Sequence, residues 1–387
     1  MDELIQLNSL SQQMDLEADG DVRMDGTPVE VTSGIQRKPT AVHVTSACMA
    51  GGKKIKLLKT MLSSYCERDC RYCGFRSERD CQRSAYRPDD FARLVSDLHR
   101  RQIIEGAFLS SGITGGGAST QDRLIDTAVI LRSKFGYRGY LHLKIMPGAE
   151  KEQVEKAMQL ADRVSVNLEA PNPGKLETLA PGKVFIDELL EPLRWVHQIR
   201  STKAAQLGWM GRWPSSTTQF VAGGADECDS ELLRTTVYLY RAIRLKRVYY
   251  MAFKPVPSTP LSDHPITPEL RQLRLYQASF LLRDYGYDME EMPFTQDGNL
   301  PLEKDPKSLW ASRELSDRPV ELNRADREML LRIPGIGIRG ADAILRLRRH
   351  RSIKDLSQLR NTGIRIERAA GYVLLDGRKP PQQLSFL

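Results

Sequence analysis

The chain of 387 residues is poor in cysteine and histidine, with six of each. Six cysteines in a chain this long do not make a disulfide framework, which excludes the small stapled folds of secreted proteins. No unbroken apolar run reaches membrane-spanning length and no signal-peptide pattern stands at Met1, so neither a spanning helix nor export is expected. Hydrophobic residues make up 41% and charged residues 27%, a balance typical of a globular chain with one large core and room for a small second domain.

The few cysteines are concentrated. Cys66, Cys70 and Cys73 lie in the run Cys66-Glu67-Arg68-Asp69-Cys70-Arg71-Tyr72-Cys73. Three thiolates on one tight loop can hold three irons of a cubane cluster and leave the fourth iron open to a small molecule. Two other chemistries compete. Structural zinc wants a fourth Cys or His at short spacing, and the nearest is Cys81, eight residues on. A redox dithiol would use Cys70 and Cys73 and leave Cys66 unexplained. Cys48, Cys81 and Cys228 form no second close-spaced set and read as ordinary thiols. A thiolate cluster implies a reducing interior, and so a cytoplasmic protein.

Short apolar runs alternate with helical patterns from about Ala41 to Tyr287. Strands are expected at residues 56–62, 105–110, 140–146, 163–169, 217–222 and 247–253. Phe91, Leu94, Val95 and Leu98 recur at helical spacing, with Asp89 or Asp90 as a cap after Pro88. Ser119 with Asp122 resembles a capping box ahead of Leu124, Ala128 and Leu131. Val154, Ala157, Met158 and Ala161 mark another helix. Strand–helix units in series predict an α/β fold with a parallel sheet.

The net charge of +8 is unevenly placed. Pro319 to Leu387 holds fourteen Lys or Arg against seven Asp or Glu, a surplus of seven. That predicts an appended module for a polyanion. The expected organisation is an N-terminal extension at 1–40, a catalytic domain at 41–300, a connector at 301–318, a basic helical domain at 319–379 and a tail at 380–387.

The cysteine spacing, with an aromatic before the third thiol, resembles the radical SAM superfamily. The resemblance implies a partial (β/α)6 barrel. It also implies a [4Fe–4S] cluster on Cys66, Cys70 and Cys73, with S-adenosylmethionine on the open iron and a 5′-deoxyadenosyl radical as product of the reduced pair. Functional loops should then lie at the C-terminal ends of the strands. Ser110, Ser111 and Gly112 stand where many members have Gly-Gly-Glu, and would receive the ammonium of the methionine moiety. Lys144 would partner its carboxylate. Asn167 and Glu169 would bind ribose hydroxyls or the amino-acid end. Val221 and Gly223 match the adenine-side glycine-rich strand, and the Tyr72 backbone would approach the adenine. Reduction would come from a donor such as flavodoxin or ferredoxin.

Towards the C-terminus, Leu330 to Leu345 reads as a helix, a Pro-Gly-x-Gly hairpin and a second helix, with Asn323 as the cap of the first. It resembles the helix-hairpin-helix motif of DNA-binding proteins that ignore sequence. Gly335 and Gly337 permit the tight turn, and Arg339 and Arg346 add charge for a phosphate. A weaker second copy begins at Leu359. The end, Gln383-Leu384-Ser385-Phe386-Leu387, resembles the peptide that bacterial repair proteins insert into the sliding clamp, with Gln383, Leu384 and Phe386 as anchors.

From about Ala41 to Leu374 the chain is similar to DNA modification/repair radical SAM proteins with a C-terminal helix-hairpin-helix. The likeness runs through residues 66–73, 108–113, 140–147, 162–169, 247–253 and 331–345. It implies DNA as substrate or scaffold and a uracil-DNA-glycosylase-like partner, and supplies no reaction. The expected activity is radical attack on a nucleotide that is flipped, damaged or single-stranded. The alternatives are a DNA-binding iron–sulfur redox sensor without turnover, and a radical SAM enzyme acting on RNA.

Overall fold

The computed structural model describes residues 6, 7, 10, 11, 44–48 and 54–380. They fall into two compact units, Met1–Glu227 with Tyr238–Gln272, and Cys228–Val237 with Leu273–Leu387.

The first unit is built on one seven-stranded sheet whose spatial order equals the chain order. The strands are β1 (Thr45–Cys48), β2 (Lys54–Met61), β3 (Gly106–Ser110), β4 (Tyr140–Lys144), β5 (Arg163–Ser165), β6 (Ser215–Ala222) and β7 (Arg247–Ala252). β2 to β7 are parallel, each reached through a helical crossover, and β1 lies antiparallel along β2. Among the described residues β1 and β7 do not meet, so the sheet curls into a partial barrel and stays open. The six parallel strands match the expected units. β5 is shorter than expected, because the chain leaves the ladder after Ser165 and touches it again only at Glu169, opposite Phe220. β1 was not expected, since four residues without alternating apolar positions carry no strand signal.

Helix α1 (Pro88–Arg100) buries Phe91, Leu94, Val95 and Leu98, the stripe the periodicity predicts. Its cap differs from expectation. Arg87 is the N-cap and Pro88 opens the helix, which puts Asp89 and Asp90 in the first turn, where they favour the helix dipole without capping it. Likewise α2 (Gly117–Val129) starts from Gly116, three residues before the expected box, and Ser119 lies within the helix. α3 (Lys151–Leu160) buries Val154, Ala157 and Met158. The first unit also holds α4 (Pro173–Leu179) and α5 (Glu191–Thr202). Two helices, α6 (Asp229–Arg241) and α7 (Glu269–Asp284), contribute residues to both units.

The second unit contains α8 (Pro306–Glu314), β8 (Val320–Glu321), α9 (Arg327–Arg332), α10 (Ile338–Leu347), α11 (Ile366–Ala369) and β9 (Val373–Leu374), with β8 and β9 in parallel. Its core gathers Leu330, Leu331, Ile333, Ile336, Ala341, Ile344, Leu359 and Val373. The cap of α9 is Asp326, which accepts from the Met329 amide at 2.7 Å. Asn323, expected there, is bound to Ile353 on both backbone groups.

Candidate active site

The cysteine loop leaves the C-terminal end of β2 and is tied off at its base, where Ser63 bridges Ala85. Arg83 fastens it from within. Its guanidinium donates to the carbonyls of Ser64, Phe75, Arg76 and Arg79 at 2.8, 3.0, 2.7 and 3.1 Å. A planar fork of five donors suits this task, because each bond satisfies a turn carbonyl that helix or sheet would otherwise take.

Four free thiols stand on the loop: Cys70 is buried, and Cys66, Cys73 and Cys81 are half-buried. The Ile113 amide points at the Cys66 sulfur at 3.5 Å and the Phe75 amide at the Cys73 sulfur at 3.4 Å. Such N–H groups stabilise a ligating thiolate. Burial first, with neighbouring cysteines adding to it, raises the Cys70 thiol and takes the Cys73 thiol up to about 12. The thiols are thus close enough to resist ionising together, a conflict that bound cations relieve. Among the described residues no three His, Cys, Asp or Glu side chains are placed to hold a single metal ion. A cubane takes each thiolate on a different iron.

Gly112 sets the spacing between this loop and β3. A Cβ there would lie 2.1 Å from the Tyr65 carbonyl oxygen and 3.1 Å from the Cys66 Cβ. Ser110 and Ser111 beside it are buried. One residue past Cys66, the Glu67 carboxylate accepts from the amides of Gly115 and Gly116 at 3.0 and 3.1 Å. These amides lead into α2, so the loop's own acid occupies the positive end of that helix.

The opposite flank comes from the segment after α4. Asp69 accepts from the Gly182 amide at 3.0 Å, the Arg71 amide donates to Leu179, and Arg68 pairs with Glu188 at 2.5 Å. This brings Lys183 under the thiols. Its ammonium meets Glu169 at 3.0 Å, with the two side chains only 8% and 4% exposed. Burial alone would lower the lysine, but Cys70 and Glu169 outweigh it and hold the ammonium above its ordinary value. Tyr72 is near the same carboxylate, and burial, then Glu169, raises its phenol well above the usual range. Glu169 has a left-handed backbone, φ +62°, and its second oxygen, Oε2, is buried with no hydrogen-bond partner. Strain and an unsatisfied buried acceptor at one residue mark a ligand position.

The remaining expected residues also lie at the C-terminal ends of the strands. Lys144 ends β4 and is half-buried, and Asn167 is buried just beyond β5. Val221 is buried and its amide is taken by the Glu169 carbonyl at 2.7 Å. Gly223 has φ +89° and no room for a Cβ against Thr267, and its amide and that of Ala225 donate to the buried Glu227. Sequence reading missed Glu67, Arg83, Lys183 and Glu227. Lys183 offers a second cation for a carboxylate, beside the expected Lys144.

In the second unit Gly335 has φ +81°, and a Cβ would lie 2.3 Å from the Arg365 carbonyl, so this turn requires glycine. Gly337 is extended, with only the Tyr285 hydroxyl near its missing Cβ at 3.4 Å. Lys307 of α8 donates to the Ile336 carbonyl at 2.5 Å and lies 4.9 Å over the Tyr285 ring. Burial brings its ammonium down to about 7. Arg339 and Arg346 are exposed at the two ends of α10. Arg348 turns inward to the carbonyls of Leu322 and Ala325, and Arg332 pairs with Glu291 over Tyr287 and Trp310. The tail residues Gln383, Leu384 and Phe386 lie outside the described residues.

A partial parallel barrel with the three motif thiols on the loop after its first parallel strand fits the fold and ligand set of proteins that hold a cubane cluster and S-adenosylmethionine. The chain carries a radical SAM superfamily domain, matched over residues 60–208. That family uses a [4Fe–4S] cluster and S-adenosylmethionine, and the donor set here fits both. Solved structures with a similar fold include the FeFe-hydrogenase maturase HydG from Carboxydothermus hydrogenoformans, at 16% identity and a TM-score of 0.47 over 59% of this chain and 51% of that one. Methylornithine synthase (PylB) aligns at 14% identity and 0.44, over 59% of this chain and 62% of that one. The radical S-adenosylmethionine methyltransferase TsrM from Kitasatospora setae aligns at 13% and 0.40, over 53% and 38%. The chain thus spans about half the length of the HydG structure. No curated protein matches.

Proposed function

We propose that this radical SAM enzyme acts on a nucleotide in nucleic acid, with DNA as the polymer. Cluster and S-adenosylmethionine supply a 5′-deoxyadenosyl radical, which no side chain can generate. The chain's own residues hold and orient. Cys66, Cys70 and Cys73 are the cluster ligands, and Arg83 and Glu67 fix their loop. Tyr72, Glu169 and Lys183 set a hydroxyl, a carboxylate oxygen and an ammonium beside the thiols, complementary to the hydroxyls, ammonium and carboxylate of the cosubstrate.

The observation that carries the nucleic-acid reading is the sorting of arginines in the second unit. Arg332 and Arg348 are spent on internal partners, while Arg339 and Arg346 face solvent beside a glycine hairpin that opens a ten-residue helix. The first amides of that helix have no partner within it and suit a phosphate. This arrangement resembles a helix-hairpin-helix, which grips a backbone and ignores sequence.

The test is anaerobic turnover of the reconstituted protein with single-stranded DNA, duplex DNA and RNA, following 5′-deoxyadenosine and nucleoside masses. The reading expects a mass-shifted nucleoside, and binding that weakens steeply as salt rises. Cosubstrate cleavage with no altered nucleoside in any polymer and no salt-dependent binding refutes it.

A further inference from the structure

Two of the three motif thiols receive a backbone amide and the third does not. The Ile113 amide points at the Cys66 sulfur at 3.5 Å, and the Phe75 amide at the Cys73 sulfur at 3.4 Å. Among the described residues no N–H or O–H donor reaches the Cys70 sulfur, although Cys70 is the most deeply buried of the three. A ligating thiolate carries negative charge that hydrogen bonds and solvent ordinarily stabilise, and burial removes the solvent.

The chain brings an ammonium to this thiol instead. Both neighbours of Cys70 are stitched to the segment after α4. The Arg71 amide donates to the Leu179 carbonyl at 2.7 Å, and Asp69 accepts from the Gly182 amide at 3.0 Å. A turn closed by the Lys183 amide on the Ala180 carbonyl, at 3.0 Å, then carries the lysine inward to Glu169. After burial, the strongest influence on the Cys70 sulfur is the Lys183 ammonium, and Glu169 follows with the opposite sign. Lys183 acts on Cys73 as well. The ion pair therefore presents its positive end to the thiols. Reduction adds one negative charge to a cubane cluster, and nearby net charge together with hydrogen bonds to the sulfurs sets how readily that happens. A charge held in a buried site acts there with little screening.

We propose that Lys183 tunes the reduction potential of the cluster, its ammonium taking at Cys70 the place that backbone amides hold at Cys66 and Cys73. It is a positioning residue for charge and not a catalytic one. The step it favours is uptake of a single electron from a low-potential one-electron donor. No bond forms or breaks in that step, and the lysine keeps its proton. Glu169 holds the ammonium in place and offsets part of its field. The inference concerns the cluster alone and is independent of which polymer or small molecule the enzyme acts on.

The experiment is a potentiometric titration of the full-length, cluster-loaded protein with dithionite, read by the paramagnetic signal of the reduced cluster. S-Adenosylmethionine is omitted, so contacts of Lys183 with the cosubstrate do not enter. At the wild-type midpoint, Lys183→Met should lower the ratio of reduced to oxidised cluster at least about tenfold, which is about 59 mV for one electron. Glu169→Gln leaves the ammonium without its counter-ion and should raise the midpoint. A purely structural pair would shift both variants in one direction or neither. Iron and sulfide content with circular dichroism identify the variants that fold. Should Lys183→Met fail to fold, Lys183→Met/Glu169→Leu leaves no buried charge and carries the same expected fall. Wild-type midpoints in the folded lysine variants, or shifts of Lys183→Met and Glu169→Gln in the same direction, overturn the inference.

Discussion

Gly112→Ala isolates the fit between the cysteine loop and β3. The added Cβ would sit 2.1 Å from the Tyr65 carbonyl oxygen and 2.8 Å from its carbon, both backbone atoms, and 3.1 Å from Cys66 Cβ. Relief to an ordinary contact of 3.4 Å needs a shift of roughly 1.3 Å, and close-packed surroundings make the chain move rather than absorb it. The Gly112 amide also donates to Ser63 at 2.7 Å, so the shift passes to the base of the loop. Overpacking of this kind costs about 1–3 kcal/mol. Borne by the loop, that weakens cluster retention by about five- to two-hundredfold. The assay is iron and sulfide content after anaerobic reconstitution and gel filtration against a chelator series, with the paramagnetic spectrum of the reduced cluster. Gly174→Ala is the control, because its Cβ would make only ordinary contact at 3.6 Å. If Gly112→Ala retains its cluster as the wild type does, with an unchanged spectrum, the loop is not held by this approach and the reasoning fails.

Cys66→Ala, Cys70→Ala and Cys73→Ala should each abolish cosubstrate cleavage, whereas Cys81→Ala and Cys228→Ala should leave it intact; 5′-deoxyadenosine yield decides. Lys183→Met should cost about 3–5 kcal/mol in chemical denaturation by stranding the buried Glu169, and Lys183→Met/Glu169→Leu should recover much of it. A single-variant loss under 1 kcal/mol would show the pair to be solvated. Arg339→Ala and Arg346→Ala should each lower the salt slope of DNA binding by about one phosphate contact, with no change in sequence preference. Lys307 gives a pH signature. With its folded value near 7 and its unfolded value near 10.4, the unfolded chain holds more protons between them, so stability rises with pH across that window. Lys307→Met should flatten the rise of melting temperature between pH 7 and 9, and an identical slope in both proteins would contradict the burial of this ammonium.

The sheet was legible because each parallel strand is a short apolar run between helical patterns, and the candidate site because three cysteines at local spacing fall on one loop. Contacts made at long range were not legible. Lys183 is an unremarked lysine fourteen residues beyond Glu169, and only the return of the chain after α4 puts the two side by side. Arg83 lies in a run of charged residues that reads as a solvated loop, and Glu67 finds its partners 48 and 49 residues away. Caps were misplaced where backbone geometry overrode side-chain preference, at Arg87 and Gly116. On the second helix of the hairpin, charge alone could not distinguish Arg346, which faces solvent, from Arg348, which closes the fold.

The arginine fork inside the cysteine loop has a consequence for the life of the cofactor. Because Arg83 ties four turn carbonyls without any help from iron, the loop's shape is written into the polypeptide. A zinc finger collapses when stripped of metal, since its metal is its fold. Here the four Arg83 bonds would outlast a lost cluster, and a protein so emptied is expected to reload without a new round of folding.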